Sequence, residues 1–193
     1  MNKKLVTLFI SLLLISVVVT GTLAYFTRVS EPVHNVITTG DVDIALIEKA
    51  LNDKGEEVPF ENVAGVMPGQ SVSKRVRVEN TGSGDAWVRI YVKPAIELKD
   101  KTPGDPSVLS IDFDTANWTQ QGDYWYYNHV LTTGATTPNL FENVTFAGED
   151  MGNVYQGCTV TVTVRAEAVQ SANNGNSALT AEPDSWPKGS SEN

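Results

Sequence analysis

The chain has 193 residues, with 14 lysines and arginines against 23 aspartates and glutamates, for a formal net charge of −9. This acidic balance, with no basic stripe anywhere, argues against nucleic acid and anionic lipid as partners. Cys158 is the only cysteine, which excludes an internal disulfide and leaves the fold to stand on its apolar core.

The chain opens with Lys3 and Lys4, an uncharged, mainly apolar run over 5–19, and the small-residue segment Thr20-Gly21-Thr22-Leu23-Ala24. That order predicts a secretory signal peptide, with Thr22 and Ala24 in the small positions before a cut between Ala24 and Tyr25. An uncleaved anchor is the alternative, but the apolar run is shorter than the roughly 20 residues of a spanning helix. The expected organisation is a signal peptide at 1–24, a β-domain at 25–169 whose segment 25–39 is extended, and a polar, loosely ordered tail at 170–193. Contact with membrane is expected only transiently, through the signal peptide.

Beyond the cut, apolar and polar residues alternate with period two. Val42, Ile44 and Leu46 form one row, Val72, Val76 and Val78 a second, and Val88, Ile90 and Val92 a third. A long strand is predicted over 154–168, with Cys158, Val160, Val162, Val164 and Ala166 inward and Thr159, Thr161, Thr163, Arg165 and Glu167 toward water. Turn residues punctuate these rows: Met67-Pro68-Gly69-Gln70, the hairpin-like Asn80-Thr81-Gly82-Ser83-Gly84-Asp85, and the breaker-rich stretch 99–106. Rows of this kind predict an all-β fold, an antiparallel β-sandwich of jelly-roll type. From Ser171 onward alternation stops and small polar residues dominate, with Trp186 the one side chain suited to docking on the domain.

Two segments carry a more specific signal. Gly21-Thr22-Leu23-Ala24-Tyr25-Phe26 fits G-T-x-A-[YF]-F, and Asn35-Val36-Ile37-Thr38-Thr39-Gly40-Asp41-Val42-Asp43-Ile44 fits N-x-[IVF]-x-x-G-x-[VL]-D-[IL]. Further on come Pro68-Gly69-Gln70-Ser71-Val72 with Val78-Glu79-Asn80-Thr81-Gly82 and Ala86-Trp87-Val88-Arg89, then Trp118 with Gly122-Asp123-Tyr124-Trp125-Tyr126-Tyr127, then Gly134-Ala135-Thr136-Thr137-Pro138-Asn139-Leu140-Phe141. In this order the segments resemble the TasA/camelysin (CalY) family of Gram-positive secreted proteins, across most of residues 21–169. Arg28 and Thr133 depart from it, standing where relatives commonly have an acidic residue and a proline.

The resemblance implies a jelly-roll domain exported to the cell surface or biofilm matrix, a dedicated SipW-type signal peptidase as a partner, and self-association or association with related matrix proteins. It also implies fibre assembly, in which the segment freed at the mature N-terminus joins the sheet of a neighbouring subunit. The residues suited to such an assembly strand are Phe26, Val29, Val33, Val36 and Ile37, with Pro32 interrupting the ladder. Completion of its own domain's sheet by the same segment is equally open, since the pairing physics is the same within and between chains.

Catalytic signatures are missing from the sequence. There is no H-E-x-x-H, the only histidines are His34 and His129, and no G-x-S-x-G occurs. Cys158, on an apolar row, is a poor nucleophile. Asp41/Asp43, Asp112/Asp114 and Gly148-Glu149-Asp150 read as solvated acidic faces rather than calcium sites. No catalytic, cofactor-binding or metal residue is assigned. The aromatics Trp118, Tyr124, Trp125, Tyr126 and Tyr127 are expected to pack, with a carbohydrate platform as the other possibility. The functional expectation is a non-enzymatic, secreted structural protein. A monomeric surface module binding glycan or protein through the aromatics, with Trp125 needed for binding but not folding, is the alternative. A camelysin-like metallopeptidase is the third class.

Overall fold

The computed structural model of the chain describes residues 36–38, 42–61, 69–148 and 152–187. The signal segment, the cut between Ala24 and Tyr25, and the assembly-strand candidates Phe26, Val29 and Val33 lie outside these. So do His34, Asp41, Glu149 and Asp150.

The described residues form eleven strands: β1 (Val36–Thr38), β2 (Ile44–Leu51), β3 (Glu57–Pro59), β4 (Ser71–Asn80), β5 (Ala86–Glu97), β6 (Pro103–Gly104), β7 (Leu109–Ile111), β8 (Trp118–Gln121), β9 (Tyr124–Tyr127), β10 (Phe141–Phe146) and β11 (Thr159–Gln170). The only helical pieces among them are short 3-10 turns. One sheet runs β1-β11-β5-β9-β8 with β6 added to β5, and the other runs β3-β2-β4-β10-β7. Pairing is antiparallel throughout, with the single exception of β1, which lies parallel to β11.

Alternation explains why these segments pair as they do. Ile44 and Leu46 of β2, Val76 and Val78 of β4, and Phe141, Val144 and Phe146 of β10 share one buried cluster with Val88, Ile90 and Val92 of β5 and Val164, Ala166 and Ala168 of β11. The two sheets therefore bury facing rows against each other, each large side chain contributing about 1.5–3 kcal/mol. The spine of the first sheet is the β5–β11 pair, in unbroken register from Thr159 opposite Glu97 to Gln170 opposite Ala86. Lys74 is an exception on the inner row of β4. It is buried in an ion pair with Glu48, its Nζ 3.8 Å from the centroid of the Phe60 ring.

The loop Asn80–Asp85 is not a hairpin. β4 and β5 belong to different sheets, so this loop arches between them. Asn80, fully buried, holds the arch: its Nδ2 donates to the carbonyls of Gly84 and Leu131 at 2.9 Å each, and its Oδ1 accepts from the Gly82 amide at 3.0 Å. The amides of Thr81 and Gly82 donate to the Asp43 carbonyl at 3.0 and 2.9 Å. Glycine is required at 82 because a Cβ there would lie 2.6 Å from the Asp43 nitrogen. The segment Gly134–Phe141 lies against the same strand. Thr137 donates its amide to the Val78 carbonyl at 2.9 Å and accepts the Val78 amide on Oγ1 at 3.0 Å.

The last strand begins later than its pattern predicts. Asn153–Tyr155 is a 3-10 turn with Val154 62% exposed, and Gly157 has φ +76, so β11 starts only at Thr159. Cys158 is half-buried against the core just before the strand, rather than within its inner row.

Candidate functional site

The outer face of the first sheet carries the densest chemistry. Strand register builds it in rows across β9, β5 and β11: Tyr126–Arg89–Glu167 form one row and Tyr124–Tyr91–Arg165 the next. Trp87 opposite Val169 adds a third, apolar pair.

Glu167 is the hub. Arg89 donates from Nε to its Oε2 at 2.7 Å and ion-pairs with the same oxygen through Nη2 at 2.6 Å, and Arg165 donates from Nε to Oε1 at 3.0 Å. The Tyr124 hydroxyl donates to Oε1 at 3.3 Å and accepts from Arg165 Nη2 at 3.0 Å, while Arg89 Nη1 donates to the Tyr126 hydroxyl at 3.2 Å. The rings complete the cluster. The Arg89 guanidinium carbon lies 4.1 Å from the Tyr124 centroid and 4.4 Å from that of Trp186, and the Arg165 carbon lies 4.7 Å from Tyr91. Burial opposes the charge on Arg165, but hydrogen bonds to the Glu167 carboxylate and the Tyr124 hydroxyl, with the charge of the carboxylate and the Coulombic effect of Tyr124, together outweigh it and raise the Arg165 pKa. Two guanidiniums around one carboxylate leave the cluster net positive in an acidic chain.

The sequence pattern puts Glu167 toward water, yet it is fully buried among its arginine partners, and residues 171–187 pack on the same face of the sheet. The loosely ordered tail expected from 170 is, over this stretch, an ordered strap. Ala178, Ala181 and Trp186 are buried with Trp87, Tyr126 and Val169. Trp186 meets the Tyr126 ring edge-on at 5.9 Å and 87°, the docking its apolar bulk predicts. The polar residues serve the backbone. Ser177 and Thr180 form a capping box over a 3-10 turn, and Trp87 Nε1 donates to the Asn174 carbonyl at 2.8 Å. Three apolar side chains and a closed hydrogen-bond network thus hold a segment whose composition alone predicts disorder. Beyond the strap, half-buried Tyr91, Tyr124 and Arg165, with exposed Lys93 on the same row of β5, form an uncovered shelf.

The aromatic segment divides between the two faces. Trp118 and Trp125 are core residues, with Trp125 stacked on Phe113 at 4.1 Å and 20°. Trp125 is therefore a folding residue and not a surface contact, which corrects the role expected of it in a binding module. Tyr127 packs on Trp118 and on His129, whereas Tyr124 and Tyr126 belong to the outer face. Val36 and Ile37 fall in β1, in register with Ala166 and Glu167.

The Asp112/Asp114 pair is engaged in local structure. Asp112 accepts from the Glu142 and Asn143 amides at 2.9 and 2.7 Å and from Asn143 Nδ2 at 2.8 Å, where β10 slips register against β4 between Phe141 and Asn143. Asp114 closes a turn on Ala116 and Asn117, and the Asn117 side-chain bond is the main cause of its lowered pKa. Among the described residues, no group of three His, Cys, Asp or Glu converges on a metal-sized site. On the outer face of the second sheet, Glu57 accepts from both Arg75 and Arg77, which holds its carboxyl down at about 2.

The cluster around Glu167 was missed in sequence. Its signal was two outward rows, Trp87, Arg89 and Tyr91 on one strand and Arg165 and Glu167 on another, which need the β5–β11 register to become a site. Compared with protein-family models, with curated proteins and with solved structures, the chain finds no match.

Proposed function

We propose that this chain is a secreted structural protein of the TasA/camelysin type, a non-enzymatic jelly-roll component of the cell surface or biofilm matrix. Export and cleavage after Ala24 by a SipW-type peptidase free the N-terminal segment, which joins the sheet of a neighbouring subunit. The observation that carries this reading is the attachment of β1. Val36 and Ile37, two of the five candidate assembly residues, enter the first sheet as a three-residue edge strand, parallel where every other pairing is antiparallel. Three residue pairs are a slight hold, and parallel pairing is the weaker kind per residue. The same backbone groups on β11 would accept the corresponding segment of another copy by the same bonds.

The test is deletion of residues 25–33 from the mature protein. The reading expects a soluble domain that forms no fibres, and fibres indistinguishable from those of the intact protein would contradict it.

A second reading, a surface binding module, is favoured by the uncovered shelf. Lys93 and Arg165 beside the rings of Tyr91 and Tyr124 offer cations and stacking surface together, a combination that fits an acidic glycan. Retardation of the wild-type protein by an anionic polysaccharide in native gels, lost in Tyr91→Ala, would support it. Equal mobility with and without polysaccharide would end it.

A further inference from the structure

The strap that packs on Trp87, Tyr126 and Val169 is fastened at Asn174. The Asn174 carboxamide oxygen accepts the Glu182 amide at 2.8 Å, and its nitrogen donates to the Gln170 carbonyl and to Ser185 Oγ at 3.1 Å each. Its backbone carbonyl takes the Trp87 indole N–H at 2.8 Å. No side chain shorter, longer or purely donating makes all of these bonds. The next position is equally constrained. Gly175 has φ +72, and a Cβ there would lie 2.4 Å from the Thr180 carbonyl oxygen. The closed strap therefore demands asparagine followed by glycine, and Asn174-Gly175 is the only such dipeptide in the chain.

This pairing has a chemical consequence. With no side chain shielding it, a glycine nitrogen has ready access to the carboxamide carbon of a preceding asparagine. We propose that Asn174 is a self-modifying site: the closed strap protects it from deamidation, and deamidation, once it occurs, unlatches the strap. In that step the Gly175 backbone nitrogen attacks Asn174 Cγ. The new C–N bond forms, the Cγ–Nδ2 bond breaks, and ammonia leaves carrying the proton lost by the Gly175 nitrogen. Water then opens the five-membered imide at either carbonyl, giving aspartate or isoaspartate, with no change of oxidation state. In the closed strap, bonds to both carboxamide atoms hold Cγ, and Gly175 is packed on Thr180, so ring closure waits for local opening.

The product cannot refasten. A carboxylate has no hydrogen to give the Gln170 carbonyl, and meets that oxygen with like charge. Isoaspartate also lengthens the backbone by one methylene, displacing the carbonyl that Trp87 holds. Loss of the latch uncovers Trp87, Arg89 and Tyr126, so that a buried aromatic-guanidinium face becomes accessible by a one-way covalent event.

The experiment ages the whole chain and its Trp186→Ala variant at neutral pH and follows residue 174 by peptide mass spectrometry. Hydrogen exchange is read on the same samples. Faster conversion in Trp186→Ala, by about ten-fold for each 1.4 kcal/mol by which strap opening is eased, is expected. In converted wild-type protein, rapid exchange is expected over 174–187 while β5 and β11 stay protected. Should Trp186→Ala not fold, Ser177→Ala, which removes only the capping box, takes its place. Equal conversion rates in wild type and loosened variant would overturn the proposal. So would an Asn174→Asp chain whose strap exchanges as slowly as wild type.

Discussion

Glu167 faces Arg89 directly across the β5–β11 ladder, and the two share a hydrogen bond at 2.7 Å and an ion-pair contact at 2.6 Å with the carboxylate wholly removed from water. A carboxylate placed there is favourable only because Arg89 and Arg165 flank it and the Tyr124 hydroxyl donates to it. Replacing it with alanine leaves two guanidiniums with no counter-charge. Glu167→Ala is expected to cost about 3–5 kcal/mol, read as a fall in the urea midpoint at constant slope. A change within about 0.5 kcal/mol, the range of an ordinary surface substitution, would show that the cluster is not the buried unit described.

The arch between the sheets makes a second prediction. Asn80→Ala takes the side-chain donor from the Gly84 carbonyl and one of two donors from the Leu131 carbonyl, which keeps the Ala86 amide, at a cost of about 1–3 kcal/mol. Gly82→Ala forces a methyl against the Asp43 backbone, and overpacking of this kind costs about 1–3 kcal/mol. Because both act on one arch, the double variant is expected to lose less than the sum of the two, measured as a cycle in urea. Full additivity would mean that the two residues stabilise unrelated parts of the fold.

What the sequence conveyed and what it withheld divide along physical lines. The inner rows of β2, β4, β5 and β11 were legible because alternation reports one buried face wherever a strand meets a core. Asn80–Asp85 was legible as a turn but not as an arch, since hairpin and sheet crossing use the same turn residues and differ only in which strands pair afterwards. Trp125 and Tyr124 alternate plainly, yet choosing which ring faces the core required the register of β9 on β5. The docking of residues 171–187 was out of reach, because it rests on Ala178, Ala181 and Trp186 packing on Trp87 and Tyr126, residues of β5 and β9 that are distant in sequence.

Trp125→Ala tests that division of the aromatics. Removing an indole stacked on Phe113 within the core is expected to cost about 3–5 kcal/mol. Tyr91→Ala, on the uncovered shelf, is expected to fall well short of that in the same thermal melts. Comparable losses in the two variants would contradict the assignment of one ring to the core and the other to the outer face.

The pH dependence of Glu57 has a definite sign. Its folded pKa is lowered from 4.5 to about 2, chiefly by its bond to Arg77 and then by Arg75. A lowered carboxylate pKa contributes stability above the unfolded value, and that contribution disappears as pH falls through the folded one. Wild type is therefore expected to be more stable than Glu57→Gln at pH 7, with the gap closing between about pH 4.5 and pH 2. Parallel stability curves across that window would show that the two arginines do not hold Glu57 in solution.

The central claim concerns assembly, and electron microscopy of the mature protein beginning at Tyr25, incubated at neutral and mildly acidic pH, addresses it most directly. Uniform filaments, built through the N-terminal segment that ends in β1, are the predicted result. Particles that stay monomeric under both conditions would contradict it.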